Sequence, residues 1–170
     1  MKIYLVGMPG SGKSTLGAQV AQTLNIEFID LDKEIERREG SQVSEIFATA
    51  DEHYFRKVES ETLKTLAASS RDFIMATGGG TPCYHEGMDV INTSGFSIFL
   101  DEPVNVLLRR LEHKTDRPLL FESDSQKRQE QIETLRQLRM QCYQRASVVI
   151  TGGSLSKILE EIQVRMRNQM

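Results

Sequence analysis

The chain has 170 residues, 39% of them hydrophobic and 26% charged, a length and composition that favour one globular domain with an ordinary core. A formal net charge of -3 gives no positive field for a polyphosphate backbone, so we expect no nucleic-acid partner. The two cysteines, Cys83 and Cys142, show neither CxxC nor metal-ligand spacing, which disfavours a disulfide framework and a zinc site. No apolar stretch is long enough for a signal peptide or a membrane span, so we expect a cytoplasmic protein without a membrane partner.

Short apolar runs alternate along the chain with longer segments of helical period, which is the pattern of βαβ units around a parallel sheet. The runs predict five strands, at 2–6, 27–29, 73–76, 97–100 and 148–150. The other segments predict helices at 13–24, from near Asp32, at about 52–68, after Pro103, and at the carboxyl end. In the last helix, apolar side chains between Leu155 and Ile162 recur at i, i+3, i+4 and i+7, as in a core-facing stripe. The predicted fold class is α/β.

A phosphate-binding loop is the strongest signal in the sequence. Residues Gly7 to Ser14 match G-x-x-x-x-G-K-[ST] directly after a predicted strand and before a predicted helix, a context that disfavours a chance glycine-rich turn. Lys13 is expected to reach the β and γ phosphates of ATP, Ser14 to ligate Mg²⁺, and Thr15 to contact the α phosphate. The predicted ATP-binding residues of this loop are Gly10, Ser11, Gly12, Lys13, Ser14 and Thr15.

Two carboxylates, Asp30 and Asp32, follow the second predicted strand, at the edge where ligands of open α/β sheets gather. We expect the two side chains to point to opposite sides, with a separate task for each. Asp30 then suits a water of the Mg²⁺ shell, while Asp32 faces the acceptor and takes its hydroxyl proton. Alternatively, Asp32 caps the helix of residues 33–38, since aspartate is a preferred N-cap.

A glycine triplet ends the third predicted strand in Thr77-Gly78-Gly79-Gly80. Glycines weaken a strand, so they favour a place where a ligand approaches the main chain closely, although a flexible turn is the alternative. Neither N-K-x-D nor a D-x-x-G switch occurs in the sequence, which disfavours a guanine-nucleotide switch.

Arginines on two predicted helices are candidate ligands for an anion. Arg56 precedes Glu59 by three residues, within reach of a side-chain pair, and Arg136 and Arg139 precede Tyr143. Isolated arginines on helices are usually solvated, but two that converge form a fork for a carboxylate or phosphate.

The stretch from Glu112 to Arg128 is almost wholly polar apart from Leu119, Leu120 and Phe121. A loop of this length is usually functional or disordered, and we interpret it as a mobile lid. Arg117 within it would neutralise charge at the transferring phosphoryl group when closure excludes water.

Taken in order, these motifs resemble the shikimate kinase family over nearly the whole chain: the phosphate loop, F-x-D-x-D, F-R-x-x-E, T-G-G-G, R-P-L-L and R-x-x-x-Y. The resemblance implies an enzyme of aromatic amino acid (chorismate) biosynthesis that moves the γ-phosphoryl of ATP to the 3-hydroxyl of shikimate. It implies a P-loop NTPase-type three-layer fold with a central five-stranded parallel sheet, a lid over about 112–128 and an acceptor-binding helical segment over about 32–60. We expect a single-domain monomer.

Residue by residue, the resemblance makes Asp32, Arg56, Gly79 and Arg139 the shikimate contacts, with both arginines on the carboxylate. It makes Asp32, Lys13 and Arg117 the catalytic residues, with Arg117 also touching ATP. Ser14 matches the Mg²⁺ ligand, and residues 151–154 fall near the adenine.

The chain departs from the family pattern at two places. Asp51-Glu52 replaces the usual G-E before the F-R element, and Ala146 comes one residue early after Tyr143, which leaves Arg136 as an alternative to Arg139. Another P-loop metabolite kinase and a nucleotide-binding module without turnover are the rival functions. The histidines show no ligand spacing and are interpreted as surface residues; they are His53, His85 and His113.

Overall fold

A computed structural model of the chain describes residues 1–112 and 125–168. Five parallel strands form one sheet, and the described ranges contain eight α-helices and a short 3-10 helix at Thr81–Cys83. The strands are β1 (Lys2–Val6), β2 (Glu27–Asp30), β3 (Phe73–Ala76), β4 (Phe96–Asp101) and β5 (Val148–Thr151). The helices are α1 (Lys13–Leu24), α2 (Leu31–Glu39), α3 (Val43–Thr49), α4 (Glu52–Ala68), α5 (Gly87–Ser94), α6 (Val104–Leu111), α7 (Ser125–Tyr143) and α8 (Leu155–Arg167).

The sheet has the order β2-β3-β1-β4-β5, with β1 at its centre. Alternate residues of the central strands enter separate cores on the two faces, Tyr4 and Val6 on one and Ile3 and Leu5 on the other. Helices cover both faces, as the continuous apolar runs of a parallel sheet require. The α/β class and the five-stranded parallel sheet are therefore confirmed.

Predicted strand positions agree with the structure to within one residue at each end. Two helices were missed, because α3 has only seven residues and α5 starts at Gly87 without a side-chain cap. The predicted lid range of 112–128 lies mostly outside the described residues, and its last four residues belong to the first turn of α7 rather than to a loop.

The carboxyl ends of the strands place the functional segments side by side. β1 leads into the phosphate loop, and its neighbour β3 leads into the glycine triplet. β2 lies on the far side of β3 and ends at Asp30. Because parallel strands end at one edge of the sheet, residues far apart in sequence meet there. None of the helices in the described part of the chain combines the length and apolar character that a membrane span requires.

Candidate active site

A cavity of about 650 Å³ opens at this edge of the sheet. Most of the residues singled out in the sequence contribute to its wall: Gly10, Gly12, Lys13, Ser14, Thr15, Asp30, Asp32, Arg56, Gly79 and Arg139. Ser11 is fully buried behind this wall. Arg117, the predicted lid residue, lies outside the described residues.

The phosphate loop requires glycine where its backbone turns. Gly10 has φ of 84° and Gly12 of 95°, which is the left-handed region that side chains disfavour. Lys13 is 6% exposed, and its Nζ donates to the carbonyls of Gly7 at 2.8 Å and Met8 at 2.9 Å. Helix α1 begins at Lys13 without a side-chain cap, so its first N–H groups form an anion site facing the cavity.

Asp30 connects the phosphate loop with α2. Its Oδ2 accepts a hydrogen bond from Ser14 Oγ at 2.7 Å, and its Oδ1 accepts from the backbone N–H of Asp32 at 3.1 Å and of Lys33 at 3.4 Å. Asp30 is therefore the N-cap of α2, and the alternative that Asp32 caps this helix is wrong. Asp32 lies in the first turn of α2, beyond the end of β2. The expectation of opposite sides is also wrong, because residues two apart on a strand share a face and Asp32 in any case lies beyond the strand; both carboxylates line one cavity.

Each glycine of the triplet lies against a charged side chain of the site. A Cβ at Gly78 would lie 2.6 Å from Glu59 Oε1 and 3.0 Å from Asp32 Oδ1. A Cβ at Gly79 would lie 3.0 Å from Arg139 Nη1, and one at Gly80 would overlap the Arg56 guanidinium. None of the three glycines has a positive φ, so close packing rather than backbone strain requires glycine here.

Arg56 is a buried member of the site, only 5% exposed. Its Nη1 donates to Glu59 Oε2 at 2.8 Å, while Nε and Nη2 donate to Glu52 Oε1 at 3.2 and 3.1 Å. Its guanidinium carbon lies 4.3 Å from the ring centre of Tyr84. Burial acts to lower the pKa of Arg56, but the charges and hydrogen bonds of Glu59 and Glu52 together outweigh it and raise the pKa above its usual value.

Glu59 is a buried residue of the site that the sequence indicated only as a partner of Arg56. It is 2% exposed and accepts from Arg56 and, through Oε1, from the hydroxyl of Thr81 at 2.5 Å. The F-R-x-x-E spacing indicated the pair with Arg56, but nothing local indicated Thr81, which lies on another segment.

The two candidate arginines of α7 have different places. Arg139 is 6% exposed and lines the cavity beside Gly79. Arg136 donates to Asp101 Oδ1 at 2.7 Å, at the end of β4, and is absent from the described cavity wall. Tyr143, four residues after Arg139, donates to the carbonyl of Gly79 at 2.5 Å. One turn of α7 thus both carries Arg139 and fixes the triplet.

The remaining candidates lie outside the described wall of the cavity. The rings of His53 and His85 are 6.5 Å apart, and His113 is not among the described residues. Cys83 Sγ lies 3.9 Å from the carbonyl oxygen of Arg139, and burial raises the pKa of its thiol.

Comparisons with known proteins identify the family. The family described as "Shikimate kinase" matches residues 9–167. Shikimate kinase of Aquifex aeolicus is 36% identical over 152 residues, which are 89% of this chain and 87% of that protein. Shikimate kinase of Sulfurihydrogenibium sp. is 35% identical over 98% of both chains. The structure of shikimate kinase from Acinetobacter baumannii in complex with shikimate superposes with a TM-score of 0.89 at 31% identity, covering 99% of this chain and 94% of that one.

Proposed function

The chain belongs to the shikimate kinase family, and on this premise we propose that it transfers the γ-phosphoryl of ATP to the 3-hydroxyl of shikimate, giving shikimate 3-phosphate and ADP. The observation that carries the proposal is that the phosphate loop shares one cavity with Asp32 and with the guanidiniums of Arg56 and Arg139. The reaction belongs to aromatic amino acid biosynthesis.

The acceptor site is suited to a small hydroxylated acid. Arg56 and Arg139 come from α4 and α7 and lie against neighbouring glycines of the triplet, so their positive charges converge on one place. Guanidinium groups bind a carboxylate through paired hydrogen bonds, and we assign shikimate's carboxylate to them. The backbone at Gly79, which has no side chain in the way, contacts the ring.

Asp32 is assigned as general base. It borders both the acceptor cluster and the phosphate loop, and a carboxylate there accepts the proton of the 3-hydroxyl as the oxygen attacks the γ phosphorus. Lys13 exchanges its contacts with the Gly7 and Met8 carbonyls for the β and γ phosphate oxygens. The N–H groups of the loop and of α1 neutralise charge that spreads over the phosphates during transfer.

The Ser14–Asp30 pair fits Mg²⁺. A hydroxyl and a carboxylate 2.7 Å apart at the start of α1 are hard oxygen donors, and Mg²⁺ at phosphate sites takes few protein ligands and keeps most of its waters. Ser14 would ligate it directly and Asp30 through a water. Held there, Mg²⁺ would offset the negative charge of the phosphates.

Three further assignments complete the proposal. Arg117 reaches ATP from the lid when the cavity closes, which would exclude water and suppress ATP hydrolysis. The protein acts as a monomer. It acts in the cytoplasm, where its co-substrate ATP is abundant.

An ADP-release assay with shikimate, gluconate and AMP tests the acceptor. Of the three acceptors, we expect only shikimate to give ADP above background. Two guanidiniums suit one carboxylate, whereas a monophosphate kinase must hold a second dianion. ADP formation with another acceptor and none with shikimate would refute the assignment. Absence of turnover with all three would favour a nucleotide-binding module.

A further inference from the structure

A second buried carboxylate lies on the other side of the phosphate loop, directly after β4. Glu102 is 5% exposed. Its Oε1 accepts a hydrogen bond from the backbone N–H of Gly153 at 3.0 Å and lies 3.5 Å from Arg110 Nη1. The same Arg110 nitrogen donates to the carbonyl of Gly10 at 3.1 Å. Glu102 thus connects α6, the turn after β5 and, through Arg110, the phosphate loop.

Arg110 and Gly153 line the same cavity as the acceptor residues. The phosphate loop follows the central strand β1, and the acceptor residues Asp32 and Gly79 follow β2 and β3 on one side of it. Glu102 and Gly153 follow β4 and β5 on the other side. A nucleotide whose γ phosphate faces the acceptor must therefore extend its nucleoside toward Arg110 and Gly153.

We propose that Glu102 is a positioning residue for the nucleotide, which shapes the nucleoside end of the cavity by holding the Arg110 side chain and the Gly153 backbone. The proposal depends on the proposed function, because that function sets the direction in which ATP lies in the cavity. An arginine whose side chain is 40% exposed loses conformational entropy when it binds a ligand, and an anchor that orders it beforehand removes that cost. The buried carboxylate in turn requires a cationic partner, so the pair is retained without ligand.

Calorimetric binding of Mg²⁺–ADP to the full chain, without acceptor, tests this. Glu102→Gln keeps the side-chain shape and removes the charge, and we expect the Kd for Mg²⁺–ADP to rise about tenfold. The KM for shikimate should stay within about twofold of wild type. Glu27→Gln is the matched control. Glu27 lies on the edge strand β2, and its 3.0 Å ion pair with Arg71 is exposed, so loss of this pair should leave the Kd unchanged.

An unchanged Kd in Glu102→Gln overturns the proposal. An equal rise in the nucleotide Kd and the shikimate KM also overturns it, because a general loss of packing would affect both ligands. Arg110→Gln changes the more exposed partner of the pair, whose side chain is 40% exposed against 4% for Glu102, and is a second variant. It should also weaken Mg²⁺–ADP, and an unchanged Kd would contradict the role of Arg110. In the Arg110→Gln background, Glu102→Gln should have a smaller effect than in wild type, whereas full additivity counts against action through Arg110.

Because nucleotide binding requires no turnover, the Kd measurements are independent of the acceptor. Failure of the chain to phosphorylate shikimate would refute the proposed function and leave the measured Kd values valid.

Discussion

The hydroxyl of Tyr143 donates a hydrogen bond to the carbonyl oxygen of Gly79 at 2.5 Å, across 64 residues of sequence. Tyr143 is fully buried, and its ring packs against Phe99 with centres 5.0 Å apart. The bond holds the glycine triplet at a defined distance from α7. The position of the Gly79 backbone relative to Arg139 therefore depends on a residue that does not itself line the described cavity.

Tyr143→Phe should lower the free energy of unfolding by about 1–3 kcal/mol, since it leaves the Gly79 carbonyl without this donor. It should also raise the KM for shikimate, because Gly79 and Arg139 lose their common anchor. Tyr4→Phe is the control: it removes a 2.8 Å hydrogen bond of an equally buried tyrosine to Ser94, and it should cost stability without altering KM. Equal KM values in the two variants would contradict the positioning role.

Asp32→Asn should lower kcat by on the order of 10²-fold or more, because an amide cannot accept the hydroxyl proton. Binding of shikimate measured by calorimetry should be much less affected. A variant with near-normal kcat would reduce Asp32 to a binding residue.

Glu59→Gln should raise the KM for shikimate about tenfold or more and leave that for ATP unchanged, because Arg56 loses its buried counter-ion. Breaking this pair should also destabilise the fold by about 3–5 kcal/mol. Glu61→Gln is a control on the same helix, where the pair with Arg38 is exposed, and it should change stability by about 0.5 kcal/mol or less. A similar small effect in Glu59→Gln would show that Arg56 needs no anchor.

Arg139→Ala should chiefly raise the KM for shikimate, whereas Arg136→Ala, which removes the pair with Asp101, should leave it close to wild type. Steady-state kinetics with each substrate varied in turn distinguish the two. The reverse result would assign the acceptor to Arg136, and an effect of Arg139→Ala on ATP alone would count against its placement.

Cys83 should react slowly with iodoacetamide. Burial, followed by the neighbouring Cys142 thiol, raises the pKa of Cys83 above its ordinary value of 9.0, so little thiolate exists at pH 8. Mass spectrometry of the alkylated peptides should show the Cys83 rate still rising above pH 9, and a rate that levels off below that pH would contradict the raised pKa. Since the folded chain keeps a proton that the unfolded chain releases, Cys83 stabilises the fold below pH 9, and this contribution is lost as the pH rises further.

The sequence alone determined the class of fold and the phosphate site. Both are local properties: apolar runs and helical periods define the elements, and the glycines around Lys13 define a loop whose backbone conformation depends on adjacent residues. The order of the motifs was enough to indicate the family and the acceptor.

Only the tertiary structure decided which side chains meet. Asp30 rather than Asp32 caps α2, because the helix begins at Leu31, directly after the strand, and not at residue 33. Arg139 rather than Arg136 reaches the cavity, because the packing of α7 sets which of its faces turns inward. The partners of Glu59 and Glu102 come from separate segments, and the strand order that brings those segments together is a long-range property of the sheet that no single stretch of sequence encodes.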